Sequence, residues 1–275
     1  MKPRPRLIRL DRPDHAGRAE SPAAELPRLE FNGISRIFRS PENEYPQVLD
    51  NLDLAAAPGE LICILGPSGC GKTTLLNIAA GFLAPDAGTV RVDGRTAGKP
   101  GPDRCVVFQE DALFPWLTVR ENIAFGLEGK GLRRKEIRRC VDHFLSLVGL
   151  SAFAGLLPSE ISGGMKQRVA LARVLALDPR ILLMDEPFGA LDAQTRSEMQ
   201  VLLLRLWDEL GHTILFVTHD MVEAALLADR IIIMDRLPGR IREDIRVSLP
   251  RPRRRESDSF HRFLKQTARA MGHGG

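Results

Sequence analysis

The sequence contains no apolar run of the roughly 20 residues that a membrane-spanning helix needs. Its amino-terminal residues are basic but lack the apolar stretch of about 7–15 residues found in secretory signals, so export is not expected. No internal repeat is present, which predicts a single functional unit per chain. Any association with a membrane would therefore be through protein partners.

Cysteine is also scarce, with four residues in the whole chain: Cys63, Cys70, Cys105 and Cys140. Their spacing contains no C-x-x-C pair, and three of them fall in predicted strand or loop positions. This pattern favours reduced thiols over disulfides and over a metal site built on cysteine.

The formal net charge is only +4, but an arginine-rich run occurs at Arg251–Arg255. Clustered arginines are typical of phosphate-backbone binding. This run, however, is interrupted by proline and has no interleaved aromatic residues, and aromatics are just 5% of the sequence. A solvated tail explains it as well, so no nucleic-acid partner is expected.

With 275 residues and 44% hydrophobic content, the chain can bury one substantial α/β core with a smaller lobe. Residues 1–27 lack periodicity and are predicted to be a disordered leader. Short strands are expected over 29–54, and helices over 119–126 and 135–148 form the smaller lobe. Alternating helices and strands resume over 164–234.

The segment Gly66–Thr73 fits the phosphate-binding pattern G-x-x-x-x-G-K-[ST]. It lies between the apolar, strand-like Leu61–Leu65 and the helix-like Lys72–Ala80. Glycines let backbone N–H groups approach phosphate oxygens, Lys72 would reach the β- and γ-phosphates of ATP, and Thr73 would bind Mg²⁺. The alternative is a glycine-rich turn before a helix. The predicted nucleotide-binding residues here are Gly66, Pro67, Ser68, Gly69, Cys70, Gly71, Lys72, Thr73 and Thr74.

Cys70 stands beside Lys72 and near a predicted helix N-terminus. This setting predicts a lowered thiol pKa and raised reactivity. The alternative is a small spacer without a chemical role.

Two carboxylates follow a second buried-type strand, Ile181–Met184. Asp185 would hold Mg²⁺ and Glu186 would act as general base on the attacking water. His219 follows a third such strand, Thr213–Val217, and would contact the γ-phosphate. The alternatives are a solvated turn after the strand and a structural histidine.

The segment Ile161–Arg168 resembles the signature sequence of the ATP-binding-cassette family, with Ile161 for Leu and Met165 for Gln. The resemblance extends from about Leu29 to about Asp235. It implies an α/β fold: a P-loop NTPase (RecA-like) core, an N-terminal antiparallel β subdomain and an inserted α-helical subdomain. The implied boundaries are 28–240 for the nucleotide-binding domain, about 111–165 for the helical subdomain and 241–275 for a basic C-terminal tail.

Further site residues follow from this resemblance. Ser162, Gly163 and Gly164 would face the γ-phosphate of ATP held by a second copy, which implies a head-to-tail homodimer with two composite sites. Gln109 would join the Mg²⁺ site to the helical subdomain, and Asp192 would communicate between the two sites as well as cap a helix. Phe38 would stack on adenine, with core packing as the alternative. The implied catalytic residues are Glu186, His219, Lys72 and Gln109, and the implied metal ligands are Thr73, Gln109 and Asp185.

Two further segments, Pro102–Trp116 and the tail residues 237–241 with 249–253, resemble the importer branch that serves nitrate, alkanesulfonates and taurine. Within that branch, Gly66–Asn77 and Phe188–Ala193 are most similar to taurine import ATPases. Phe114, Pro115 and Trp116 would form an apolar socket for a membrane subunit, with core packing of Trp116 as the alternative. The implied assembly lies at the cytoplasmic face of the inner membrane, with two membrane-spanning permease subunits and a separate substrate-binding protein. A non-transport cassette scaffold of the iron–sulfur assembly type and an exporter cassette are the rival functions.

Overall fold

The structure, a computed structural model, describes residues 26–40, 43–109 and 112–272, with the backbone alone for residues 39–40 and 43–46. The predicted disordered leader, residues 1–27, lies outside the described residues except for Leu26 and Pro27. The described residues group into two compact units. The larger unit holds 26–106, 180–186 and 211–272, and the smaller unit holds 107–109, 112–179 and 187–210.

The strands, in chain order, are β1 (Leu29–Ser40), β2 (Asn43–Ala56), β3 (Leu61–Leu65), β4 (Ala87–Val92), β5 (Arg95–Thr96), β6 (Arg104–Val107), β7 (Ile181–Asp185), β8 (Thr213–Val217), β9 (Arg230–Met234) and β10 (Ile241–Arg246). The helices are α1 (Lys72–Ala80), α2 (Val119–Glu128), α3 (Arg134–Leu147), α4 (Gly163–Leu175), α5 (Ala193–Leu210), α6 (Met221–Leu227) and α7 (Asp258–Ala270). Single 3₁₀ turns occupy Ser151–Phe153 and Pro158–Glu160. None of the helices in this part of the chain is long and apolar enough to cross a bilayer.

The larger unit contains two sheets. One is antiparallel, with strand order β2-β1-β4-β5. The other has the order β10-β9-β3-β8-β7-β6, and its four central strands, β9, β3, β8 and β7, are parallel. One hydrophobic cluster joins the antiparallel sheet, α1 and the parallel strands. The predicted α/β class with an antiparallel part is confirmed.

The central strands position the site. Both β3 and β8 are buried at every residue, which explains why they are continuous apolar runs without alternation. Because β3, β7 and β8 are parallel, the residues that follow them, Gly66, Glu186 and Thr218, emerge at the same edge of the sheet. In open parallel sheets that carboxyl edge is where ligands bind.

The smaller unit is helical. Its helix α2 begins with a capping box in which Thr118 and Glu121 satisfy each other's backbone N–H groups. The helix packs against α3 and α4, and α4 packs against α5. The smaller unit thus includes α4 and α5, beyond the predicted helical subdomain of about 111–165.

The structure also differs from the predicted basic tail at residues 241–275. Here β10 pairs antiparallel with β9, and α7 buries Phe260, Phe263 and Thr267 in packing with α6. Within the arginine run, Arg251 and Arg253 are half-buried, whereas Arg254 and Arg255 are exposed. Arg253 Nη1 donates to the Ala225 and Ala228 carbonyls at 2.9 and 2.6 Å, at the end of α6.

Arg251 caps the same helix end, since its Nη2 donates to the Leu227 carbonyl at 2.6 Å. Burial lowers the pKa of Arg253 to about 10. The cations thus lie at the negative end of a helix dipole, where positive charge is stabilising. Both guanidinium groups donate to backbone carbonyls of the chain itself, so the expectation of a solvated tail is wrong for Arg251 and Arg253.

Candidate functional site

The predicted phosphate-binding loop connects β3 to α1. Gly69 and Gly71 have φ values of 79° and 100°, in the left-handed region that favours glycine. Lys72 is only 6% exposed, and its Nζ donates to the Gly66 carbonyl at 2.8 Å and the Pro67 carbonyl at 3.0 Å. The loop therefore wraps around a buried ammonium group at a helix N-terminus. This is an arrangement that attracts anions.

Cys70 departs from its predicted chemistry. Its side chain is buried in the hydrophobic cluster that also contains Leu49 and Met234. This burial raises the pKa of the Cys70 thiol, although the nearby Lys72 acts in the opposite direction. The prediction of a lowered pKa is wrong because the side chain turns away from solvent into the core. All four cysteines are free thiols.

Asp185 and Thr73 meet although they lie 112 residues apart in the chain. The Thr73 hydroxyl donates to Asp185 Oδ1 at 3.3 Å. Burial is the main influence on the Asp185 carboxyl, and it raises its pKa. Among the described residues no group of three His, Cys, Asp or Glu is arranged to hold a metal ion. A hydroxyl and one carboxylate still suit Mg²⁺, which commonly takes one or two carboxylates plus substrate phosphates.

Glu186 and His219 form a pair that the sequence did not predict as a pair. Glu186 Oε2 lies 2.9 Å from His219 Nδ1. Glu186 has a φ of 44°, and its backbone N–H donates to the Val217 carbonyl on the neighbouring strand. A non-glycine residue in this region carries strain of about 1–3 kcal/mol. The left-handed conformation directs the chain away from the sheet at the point where its carboxylate meets His219.

Phe38 is 39% exposed on β1, so the core-packing alternative for this residue is wrong. The guanidinium carbon of Arg36 lies 5.3 Å from the centre of the ring. The planar guanidinium of Arg36 thus lies over one face of the Phe38 ring in a cation–π contact, which shows that this ring is accessible to a flat group.

In the smaller unit, Ser162 is the N-cap of α4, and its hydroxyl oxygen accepts from the Met165 N–H at 3.3 Å. Gly164 lies against Thr195 so closely that a Cβ there would overlap the threonine methyl group. Asp192 accepts from the Thr195 N–H at 3.0 Å, which confirms its predicted role as helix cap. The structure therefore brings together two segments that the sequence placed about 30 residues apart.

Gln109 is the second residue after β6 and has an exposed side chain. The next two residues, Glu110 and Asp111, lie outside the described residues. The predicted residues divide between the units. The larger unit carries Phe38, the loop residues 66–74, Asp185, Glu186 and His219, and the smaller unit carries Gln109, Ser162, Gly163, Gly164 and Asp192.

Three aromatic residues, Phe114, Trp116 and Phe125, form what we call the aromatic cluster of the smaller unit. The Phe114 ring centre lies 5.7 Å from that of Trp116 and 4.4 Å from that of Phe125. Trp116 is 71% exposed and Phe125 52% exposed, so the core-packing alternative for Trp116 is wrong. The sequence analysis did not single out Phe125. The available signal was its position in α2, outside the set of buried residues on that helix.

Buried and charged neighbours hold this cluster. Asn122 is fully buried, and its amide oxygen accepts from the Phe114 N–H at 2.9 Å. The Arg173 guanidinium lies 5.4 Å from the Phe114 ring centre, and Nη1 donates to the Ala112 carbonyl at 3.0 Å. The cluster is therefore a fixed apolar surface, and exposed fixed aromatics mark interaction sites.

The family profile described as "ABC transporter" matches residues 49–189. A putative ATP-binding protein of Brucella abortus is 55% identical over 82% of this chain and 85% of its own length. The taurine import ATP-binding protein TauB of Roseobacter denitrificans is 51% identical over 80% of this chain and 82% of its own length. A dimeric ATP-binding cassette, solved in a post-hydrolysis state with ADP and Pi, is 32% identical with a TM-score of 0.70, covering 81% of this chain and all of that chain.

Proposed function

This chain belongs to the ABC transporter family and is an ATPase of that family, and from this premise we propose that it powers an importer for taurine or another alkanesulfonate. One observation carries the catalytic part of the proposal. The buried Lys72, the Thr73–Asp185 contact and the Glu186–His219 pair all belong to segments that leave the same edge of one parallel sheet. The cargo is supported by the likeness to a taurine import protein.

The loop residues would bind the phosphates of ATP. The Lys72 ammonium, now shared between two loop carbonyls, would exchange part of that contact for β- and γ-phosphate oxygens. Thr73 Oγ1 and Asp185 would hold Mg²⁺. When bound, Mg²⁺ neutralises charge on the phosphates. Phe38 would stack on the adenine ring.

Glu186 would take the proton from the attacking water. Its partner His219 faces the Glu186 carboxylate with Nδ1. With both ring nitrogens carrying a proton, Nδ1–H would donate to Glu186 and Nε2–H to a γ-phosphate oxygen. One imidazole would thus fix the position of the base relative to the phosphate. This arrangement matters because proton transfer requires the base within hydrogen-bond reach of the water.

Two copies would form the complete sites. Ser162 caps α4 through its oxygen lone pair, so its hydroxyl proton remains to donate to a phosphate of the second copy. Gly164 packs against Thr195, and the Thr195 hydroxyl donates to Asp192. Thr195 would therefore couple the contact between Ser162 and the phosphate to the dimer interface. A solved cassette with 32% identity is dimeric, which supports a homodimer. ATP would favour the closed dimer, and hydrolysis would reopen it.

The aromatic cluster would receive a membrane-spanning permease subunit, two of which would bind the dimer at the cytoplasmic face of the inner membrane. A separate substrate-binding protein would deliver the anion. Closure of the dimer would move the permeases between their access states. The preference of ATP for the closed form would then supply the coupling energy.

Replacing Trp116 by alanine tests this docking surface. We expect Trp116→Ala to keep the ATP affinity of the isolated chain but to weaken permease binding by about 30-fold or more, as is usual for a central aromatic anchor. Co-purification with the permease and uptake by whole cells are the measurements. Phe82→Ala is the matched control, since Phe82 is also an exposed aromatic but lies in the larger unit. Normal uptake with Trp116→Ala would contradict the docking role.

The cargo is tested by deleting the gene and measuring uptake of labelled taurine, a longer alkanesulfonate and nitrate. The deletion strain is complemented with the wild-type chain or with Glu186→Gln. We expect uptake of one sulfonate to be lost and restored by wild type alone. Unchanged uptake of all three anions would refute the proposed cargo class and favour an exporter cassette or a non-transport scaffold.

A further inference from the structure

The turn between β9 and β10 lies directly behind the phosphate-binding loop. Gly239 in this turn is buried, and its φ lies outside the left-handed region. Glycine is therefore not needed there for backbone conformation. The absence of a side chain at this position must instead be explained by the atoms that surround Gly239.

That space is filled by backbone atoms. A Cβ on Gly239 would overlap the carbonyl oxygen of Cys70, in the middle of the phosphate-binding loop, and would lie 2.9 Å from the Val48 carbonyl oxygen. Neither oxygen belongs to a side chain that can rotate away. An added methyl group must push either the turn or the loop out of position.

The turn itself is held in place. The Gly239 N–H donates to the Val48 carbonyl at 2.8 Å, and the Asp50 N–H donates to the Gly239 carbonyl at 3.2 Å. Arg240 is also ion-paired with Asp50. Because the turn is fastened to β2 on both sides of Gly239, the phosphate-binding loop is the part that would move.

The same neighbours limit the loop at Gly66 and Gly71, but not at Gly69, where nothing lies within 4 Å of an added Cβ. A Cβ on Gly71 would lie 3.1 Å from the Val48 carbonyl oxygen, and a Cβ on Gly66 would lie 2.9 Å from the Met234 carbonyl oxygen. Val48, Met234 and Gly239 together form what we call the loop socket. With no free space in this socket, the directions of the loop N–H groups depend on it.

We infer that Gly239 is a positioning residue for nucleotide binding, which keeps the Cys70 peptide, and with it the neighbouring N–H groups, in the orientation that binds phosphate. The inference rests on the proposed role of residues 66–73 as the ATP site. Gly239 does not touch the nucleotide, so it acts through the loop. Its effect should therefore be on affinity for ATP rather than on the hydrolysis step.

We test this with Gly239→Ala in the full-length chain. If the loop absorbs the overpacking, the Kd for Mg-ATP should rise by about five- to a hundredfold. The KM for ATP should rise in parallel, with kcat at saturating ATP retained. Simple destabilisation would instead lower the active fraction, and hence kcat, with KM unchanged. Wild-type Kd and KM in a folded Gly239→Ala chain would overturn the inference.

Two controls separate the possible failures. Gly98→Ala adds a methyl group where nothing lies within 4 Å, so its Kd should equal that of wild type. Lys72→Met tests the ATP site itself. If Lys72→Met binds ATP normally, the proposed site is wrong. If Lys72→Met loses binding while Gly239→Ala keeps it, only the role of Gly239 is wrong.

If Gly239→Ala does not fold, Arg240→Ala is the alternative test. This variant removes the ion pair between Arg240 and Asp50 that holds the turn, and it adds no atom to the loop socket. We expect faster hydrogen exchange of the amides in residues 66–73 and a Kd for Mg-ATP raised by about two- to fivefold. Exchange and affinity equal to wild type would overturn the inference.

Discussion

Glu186→Gln should bind ATP as tightly as the wild-type chain and lose about 10²- to 10⁴-fold in turnover, the usual contribution of a general base. Glutamine has the same shape and can keep a hydrogen bond to His219 Nδ1, which lies 2.9 Å from Glu186 Oε2. It cannot accept a proton from water. With ATP bound and not hydrolysed, the closed dimer should accumulate. Steady-state phosphate release and size-exclusion chromatography with and without Mg-ATP are the measurements.

Glu243→Gln is the matched control for this variant. Glu243 is an exposed carboxylate on β10, away from the Glu186–His219 pair, so turnover should be unchanged. Wild-type turnover in Glu186→Gln would contradict the base assignment. Loss of turnover together with loss of ATP binding would contradict it as well, because a base is not needed to hold the nucleotide.

Lys72→Met should weaken ATP binding by at least about 100-fold. Charge-assisted hydrogen bonds contribute about 1.5–3 kcal/mol each, and a lysine that reaches two phosphates makes at least two of them. Methionine has a similar length and suits the burial of this side chain, which is 6% exposed. Removal of the ammonium also frees the Gly66 and Pro67 carbonyls that it now bonds. Isothermal titration of the purified chain with Mg-ATP measures the loss.

Lys265→Met removes an exposed lysine on α7 and serves as the charge-matched control, with wild-type affinity expected. Thermal melting without nucleotide checks that both variants are folded. If the affinity of Lys72→Met for Mg-ATP is within a few-fold of the control, the Lys72 ammonium does not bind the phosphates.

The sequence was sufficient where structure follows from local pattern. The predicted strand Leu61–Leu65, helix Lys72–Ala80 and strand Thr213–Val217 have the same bounds in the structure. Buried parallel strands are continuous apolar runs, and glycines followed by Lys-Thr leave few alternatives to a loop that opens a helix. These segments carry most of the candidate site.

Local pattern failed where an outcome depends on distant neighbours. The lowered pKa predicted for Cys70 followed from Lys72 and the helix N-terminus, but the side chain is buried beside Leu49 and Met234, and burial outweighs the nearby charge. Arg253 shows the same limitation. Its run of like charges predicted a solvated tail, whereas the end of α6 supplies carbonyl partners that no pattern near Arg253 reveals.

The sequence alone therefore indicated the family through its resemblance, and it predicted the α/β class, the phosphate-binding loop and the candidate catalytic residues. The loop, Asp185, Glu186 and His219 follow from the local order of residue types, whereas Gln109 follows only from the resemblance. Only the tertiary structure decided that Glu186 meets His219, that Thr73 meets Asp185, that Gly164 packs on Thr195 and that Gly239 lies behind the Cys70 carbonyl. The physical reason is that contacts across parallel strands and between distant loops depend on strand order and close packing, which are properties of the whole fold.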